Sequence, residues 1–318
     1  MKLNYKINLK LTQESGQTSQ APWKLIGDEY CGLSLINEIP ILLKVSQNSL
    51  DYLETNYETV NNNQNINEKM ICDEIAKIYD LNFDLNKFYK FLSKDEKLKP
   101  TIKFCNGLRL FLGQNNFESI ISSISSANNS IIRWTKSIDT ISSKWGKGYD
   151  FPSGTFYTFP IPKILSNVYE DEIAESEAYN KEMIEDCINN LKACGLGYRA
   201  SYVKKSSEIF ASKLNPLDIK YMKYDEAFET LIKIPGVGSK VADCILLYGY
   251  GFMEAFPSDI WIKRIISHLY FDGEDIKVEK VREFGMEKFK KYAGYTQLYL
   301  FHYARKSGLM SKLKPKNK

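Results

Sequence analysis

Apolar residues recur with two different periods along this chain, and the change of period divides it. Tyr5, Ile7, Leu9 and Leu11 alternate with Lys6, Asn8 and Lys10, the period-2 pattern of a half-buried strand. After the polar residues 13–20, residues 23–26, 30–35 and 39–45 predict further short strands, with Gly27-Asp28 as the turn between the first two. The asparagine tract at 61–65 predicts a solvated connector. Helical spacing begins with Met70, Ile71, Ile75 and Ile78 and returns at Leu85, Phe88 and Leu92. From about Lys99 the pattern is almost wholly helical, with helices predicted at 117–126, 131–141, 183–191 and 298–304. An aromatic- and proline-rich crossing at 151–162 interrupts them. The expectation is an α+β protein: an antiparallel β-sheet domain with flanking helices over 1–98, then an all-helical domain over 99–318.

One stretch concentrates the candidate chemistry: residues 231–259, LIKIPGVGSKVADCILLYGYGFMEAFPSD. A helical run breaks at Pro235-Gly236-Val237-Gly238 and resumes through Lys240, Cys244 and Tyr248, so the hairpin spans 231–248 and those three share one helix face. Gly236 and Gly238 are expected to supply backbone freedom at the turn, and the free N–H groups of the next helix a small anion site suited to phosphate. Lys240 falls in the first turn of that helix. Asp259 follows nineteen residues later in Phe256-Pro257-Ser258-Asp259, where Ser258 or Asp259 can cap the helix that begins at Ile260. A lysine there could act as a nucleophile and a carboxylate there could stabilise positive charge. The plain alternative is that Lys240 touches a phosphate and Asp259 only caps a helix. Burial and the helix N-terminus both predict a lowered lysine pKa. Taken alone, Cys244 reads as a small buried apolar residue.

Composition narrows the setting. At 318 residues, 43% hydrophobic and 13% aromatic, the chain can fold one or two domains. A net charge of +4 permits a nucleic-acid partner without requiring one. From Arg305 onward every charged residue is basic (Arg305, Lys306, Lys312, Lys314, Lys316, Lys318), whereas residues 170–182 are strongly acidic and should point away from DNA. No apolar run approaches the ~20 residues of a membrane span. The N-terminus lacks a signal-peptide core. Six dispersed cysteines without a CxxC pair predict a reduced intracellular protein with no cysteine-bound zinc, and the lack of any cysteine after Cys244 excludes a C-terminal four-cysteine iron–sulfur cluster.

The hairpin with Lys240, followed by Phe256-Pro257-Ser258-Asp259, resembles the helix-hairpin-helix Gly-Pro-Asp (HhH-GPD) signature of the DNA glycosylases. With SGQ, SSANNSIIRW, GLGYRA, PGVGSKVADC and YAGYTQLYLF, the chain is similar to the 8-oxoguanine DNA glycosylase/AP lyase family. The resemblance implies excision of 8-oxoguanine from double-stranded DNA by a monomer, in the cytoplasm or nucleoid if the source is prokaryotic, with Lys240 as nucleophile and Asp259 as its electrostatic partner. It implies a pocket in which Cys244 and Phe301 stack on the flipped base, Gln297 reads its Watson–Crick edge and the Gly16 carbonyl accepts from N7–H. Asn128, Arg133 and Arg199 would contact the orphaned base and Tyr198 would wedge into the stack. Gly236, Val237 and Gly238 would approach phosphate. The carbonyls of Ile232, Ile234 and Val237 match a site for a structural K⁺ or Ca²⁺, with no other cofactor implied. This sequence departs from the family at Trp261, where a phosphate-binding histidine is frequent, and after Gly16-Gln17, where a Phe-Arg-Trp run is usual. The alternatives are another hairpin glycosylase, for adenine or alkylated bases, and a non-catalytic hairpin DNA-binding protein. Lys240 argues against the monofunctional alkyladenine branch.

Overall fold

The structure is a computed structural model, described here for residues 1–60, 66–171 and 189–309. The connector expected at 61–65, most of the acidic stretch 170–182, most of the helix expected at 183–191 and the basic residues beyond 309 lie outside the described residues.

The chain opens with a two-residue strand β1 (Lys2–Leu3) and then departs from expectation. The alternating residues 5–11 are not a strand. Asn8 takes an extended conformation and its Oδ1 accepts from the Leu11 N–H at 3.0 Å, which caps a short helix α1 (Leu9–Gln13). Ile7 and Leu9 are buried as the alternation requires, but by a turn rather than by pairing. Strands β2 (Lys24–Ile26), β3 (Glu29–Ile36), β4 (Ile39–Ser49) and β5 (Tyr52–Thr59) follow, the last unmarked in the sequence because its exposed face is polar. The sheet is antiparallel in the order β1-β5-β4-β3-β2, and Gly27 makes the β2–β3 turn at φ +59°. Helix α2 (Glu68–Ile78), capped by Asn67, buries Ile71 and Ile75 with Ile41, Leu43 and Val45 of β4.

Leu42 of β4 points the other way and is also buried, together with Cys31 and Phe151. Its cover is a feature missing from the expected all-helical part: a hairpin of β6 (Gly148–Phe151) and β7 (Gly154–Tyr157), given below in chain order. Glu58 of β5 accepts from the Ser153 backbone N–H at 3.0 Å and pairs with Lys44 at 2.9 Å, fixing that hairpin to the sheet. Burial on both faces explains why Ile41, Leu42 and Leu43 run apolar without alternation.

The second region runs α3 (Leu85–Leu92), α4 (Lys99–Phe104), α5 (Asn116–Ser126), α6 (Ile131–Trp145), the β6–β7 hairpin, α7 (Pro162–Leu165), α8 (Arg199–Ser212), α9 (Tyr224–Leu231), α10 (Ser239–Cys244), α11 (Ile260–Tyr270), α12 (Val278–Phe289) and α13 (Ala293–Lys306). Helix α13 lies at the centre, with every residue from Ala293 to Leu300 buried. Tyr295 stacks on Phe83 with centroids 3.7 Å apart and donates to Asp80 at 2.8 Å, so the central helix is keyed to the loop after α2. Arg109, 3% exposed, donates to the carbonyls of Lys6, Asp80 and Phe83 and ties the N-terminal segment to the same place. Among the described residues no helix is long and apolar enough to cross a membrane.

Candidate active site and DNA-facing surface

The site forms where the two helices of the 231–248 hairpin meet the N-terminal segment. Helix α9 ends at Ile232, and the turn is closed by the Val237 N–H donating to the Ile234 carbonyl at 3.0 Å. Gly236 sits at φ +83°, and a Cβ there would lie 2.8 Å from the Tyr202 side chain of α8, so both conformation and space demand glycine. Gly238 differs from the expectation. Its φ is −93° and a Cβ would meet nothing within 4 Å, so what it offers is open space for a close approach rather than backbone freedom.

Gly238 starts α10, which widens after Cys244 into an i→i+5 turn over Ile245–Gly249. Lys240, Cys244 and Tyr248 face one way, as their spacing predicts. Lys240 is half-buried beside Cys244, and Cys244, 3% exposed, has Thr18 as its neighbour from the N-terminal segment. Asp259 caps α11: its Oδ1 accepts from the Trp261 and Ile262 N–H groups, each at 2.9 Å, which leaves Oδ2 outside the cap. The expected lowering of the lysine pKa is not found. Burial does oppose the ammonium, but the neighbouring Cys244 and Asp259 outweigh it and hold Lys240 above its ordinary value. Burial pushes the Cys244 thiol up, against the opposing pull of the adjacent lysine.

The second wall comes from residues 15–20, a buried polar run. Gln17 donates to the Arg109 carbonyl at 3.0 Å and accepts from the Phe111 N–H at 2.9 Å. Ser19 donates to the Phe111 carbonyl at 2.9 Å and Gln20 to the Leu112 carbonyl at 3.1 Å. Side chains thus do along residues 109–112 what a strand ladder would do with backbone, which is why no apolar pattern marks the segment. Gly16 has φ +81°, and a Cβ there would press against Ile131 of α6 at 2.8 Å and Arg305 of α13 at 3.2 Å. Half-buried Phe301 lies under the Arg305 guanidinium, 5.0 Å from ring centroid to Cζ. Gln297, one turn earlier, is 4% exposed: it accepts from the Tyr248 hydroxyl at 3.0 Å and donates to the Pro257 carbonyl at 2.9 Å. Among the described residues, then, an amine, a thiol, a carboxylate, an aromatic ring and a primary amide are gathered by α10, α11, α13 and the N-terminal segment. The profile of the 8-oxoguanine DNA glycosylase N-terminal domain matches residues 2–120, and that of the HhH-GPD superfamily of base excision DNA repair proteins matches residues 121–291. A probable N-glycosylase/DNA lyase of Methanothermobacter thermautotrophicus is 40% identical over 308 residues, covering 96% of each chain.

The chain belongs to the 8-oxoguanine DNA glycosylase/AP lyase family. It is an enzyme of the bifunctional DNA N-glycosylase/lyase type. An N-glycosylase/DNA lyase of Arabidopsis thaliana is 30% identical over 242 residues, 72% of this chain and 61% of that protein. A crystal structure of a Clostridium acetobutylicum 8-oxoguanine glycosylase/lyase, bound to DNA with cytosine opposite 8-oxoguanine, superposes with a TM-score of 0.77 at 31% identity. That match covers 96% of this chain and 93% of the other.

Of the residues that this family likeness assigned to DNA, Asn128, Arg133 and Tyr198 are exposed, Asn128 in the left-handed region at φ +49°. Arg133 donates from Nε to the Gly195 carbonyl at 3.3 Å. Arg199 is different from its exposed neighbours. It is 5% exposed and all three guanidinium nitrogens are engaged, with the carbonyls of Ala127 (2.6 Å), Leu196 (3.3 Å) and Asn128 (2.8 Å). In DNA-free protein it therefore holds the α5–α6 turn that presents Asn128, and it stacks on Tyr198 at 4.3 Å.

Two supports were missed from the sequence. Asp243, 0% exposed beside Cys244, accepts from Arg282 of α12 at 2.7 Å and from the Tyr224 hydroxyl of α9, clamping the hairpin from behind. Removing Arg282 would leave the buried Asp243 charge unpaired, a loss of about 3–5 kcal/mol. A lone aspartate inside the apolar run VADCILL was the available signal. Thr18 carried no signal, since a polar residue in a polar run stands out from nothing.

Proposed function

We propose that this enzyme removes 8-oxoguanine from duplex DNA, preferentially opposite cytosine, and cleaves the strand by β-elimination through Lys240. The observation that carries the reading is the placement of Lys240 beside Cys244 and Asp259, which would form one side of a base pocket completed by Gly16 and Phe301. A base inside a duplex is out of reach, so it is flipped into that pocket. The neutral Lys240 amine attacks C1′ as the bond to N9 breaks, and the bonding pair leaves with the base. Asp259 stabilises the positive charge that builds on the sugar. The attached nitrogen gives up a proton, the C1′–O4′ bond breaks with its electron pair going to O4′, which takes up a proton, and the lysine is held as an iminium ion at C1′. Loss of a C2′ proton expels the 3′ phosphate and completes elimination. The carbonyls of Ile232, Ile234 and Val237 would hold a hard cation such as K⁺ or Ca²⁺, which would supply positive charge for a DNA phosphate.

The raised lysine pKa gives a pH dependence with a definite sign. Only the neutral amine attacks, and below the lysine pKa its share grows as pH increases. Single-turnover excision should therefore accelerate from about pH 6 to about pH 9. A rate that falls across this range would show that the ammonium is the working form.

Opposite-base choice follows from hydrogen-bond inventory. An orphaned cytosine offers acceptors at N3 and O2 and a donor at N4, matching arginine donors and the Asn128 amide oxygen. Adenine keeps a donor at N6 and an acceptor at N1 but has a C2–H where cytosine has the O2 acceptor, so an arginine donor is left without a partner. Leaving a buried donor unpaired costs about 1–3 kcal/mol, or about one to two decades in rate. Because Arg199 is committed to three carbonyls, exposed Arg133 should carry most of this reading. Excision measured opposite each of the four bases should favour cytosine by that margin, and Arg133→Met should flatten the preference. Equal rates opposite all four bases in the unmodified enzyme would remove the cytosine reader.

A further inference from the structure

We propose that Arg305 is a second reader of the oxidised base, donating to the C8 carbonyl while the Gly16 carbonyl accepts from N7–H. The proposal rests on the 8-oxoguanine reading above. Arg305 is half-exposed in the last turn of α13, where the helix dipole favours a cation. The dipole explains a charge at that position but not its direction. The guanidinium lies over Phe301, and Nη1 comes within 3.2 Å of where a Gly16 Cβ would stand. It thus touches both the Phe301 ring and the Gly16 backbone. Among the described residues it takes no hydrogen bond and no ion pair, so its donors are uncommitted.

The chemistry of the lesion supplies the match. Oxidation at C8 changes one edge of guanine in two adjacent places: N7 gains a proton and C8 gains a carbonyl oxygen. A reader of both changes needs an acceptor with a donor beside it. The Gly16 carbonyl and the Arg305 guanidinium would be such a pair, since Arg305 Nη1 packs against Gly16. Guanine offers a bare N7, which opposes the Gly16 carbonyl, and a C8–H, which gives Arg305 no acceptor. A ring-opened formamidopyrimidine keeps an N–H next to a formyl carbonyl, so the same pair would admit it. A hydrogen bond to a charged donor in a closed pocket is worth roughly a 10- to 100-fold change in affinity.

The test measures affinity for two duplexes that differ only in one nucleotide, non-cleavable 2′-fluoro-8-oxoguanine against guanine, each opposite cytosine. The ratio of the two affinities should fall about 10-fold or more in Arg305→Met, which keeps the aliphatic length, and recover in part in Arg305→Lys. An equal loss on both duplexes would make Arg305 a phosphate contact or a prop for Phe301, and an unchanged ratio would remove it from the pocket; either outcome overturns the proposal. If the unmodified enzyme neither prefers the lesion duplex nor releases 8-oxoguanine, the substrate reading fails first and this proposal with it.

Discussion

Replacing Lys240 with Gln should abolish base removal, by about 10⁴-fold or more, while leaving lesion DNA bound. The magnitude is the scale on which enzymes lose rate when a covalent nucleophile is deleted. Glutamine keeps length and polarity but has no basic lone pair, so it can neither attack C1′ nor form an iminium ion. The fold should tolerate it. Lys240 is half-buried, its partners are Cys244 and Asp259, and the clamp that holds α10 is the separate Asp243–Arg282–Tyr224 group. Removing the cation leaves Asp259, whose Oδ1 remains tied to the Trp261 and Ile262 N–H groups. The measurement is single-turnover release of 8-oxoguanine, with binding followed separately on the same duplex. Undiminished release would mean that a water or another side chain attacks the sugar.

Asp259→Asn should slow base removal by about 10²- to 10³-fold, the usual loss when one preorganised electrostatic group facing the developing charge is removed. Two roles overlap at this position, and asparagine separates them. Asn and Asp serve almost equally well as N-caps, and an amide oxygen can still accept from Trp261 and Ile262, so α11 should stay intact. What disappears is the negative charge opposite the oxocarbenium-like sugar, an interaction made mainly in the transition state. Binding should therefore change little and the melting temperature should stay close to that of the unmodified protein. A variant that melts early yet keeps normal activity in its folded fraction would reduce Asp259 to a cap. Asp259→Ala removes both functions and should show the added loss of stability, about 1 kcal/mol.

Much of this was legible in the sequence because the relevant signals are local. Lys240, Cys244 and Tyr248 share a face by helical spacing alone, and Pro257 with Ser258-Asp259 announces a helix start. Other features were hidden for physical reasons. The alternation at residues 5–11 is compatible with a strand, but a single cap at Asn8 turns the chain, and capping competes with pairing on equal terms. Strand β5 was silent because its outward residues are polar, and the β6–β7 hairpin because it covers the reverse of a sheet whose two-sided burial no local window reveals. Arg199 was assigned to DNA through the family resemblance, and its hydrogen bonds to the Ala127 and Asn128 carbonyls could not be read from the sequence. The lysine pKa was misjudged for a related reason. Burial and the helix start can be read from sequence, but Cys244 and Asp259 act through distances that only the folded chain sets.

The central claim is that Lys240 becomes covalently attached to C1′, and borohydride reduction tests it most directly. The enzyme is incubated with an 8-oxoguanine·cytosine duplex, reduced, and resolved by denaturing electrophoresis. A protein–DNA adduct should form, its modified peptide should contain Lys240, and Lys240→Gln should give none. Release of the base without any adduct, or an adduct that survives in Lys240→Gln, would contradict the assignment of Lys240 as the nucleophile.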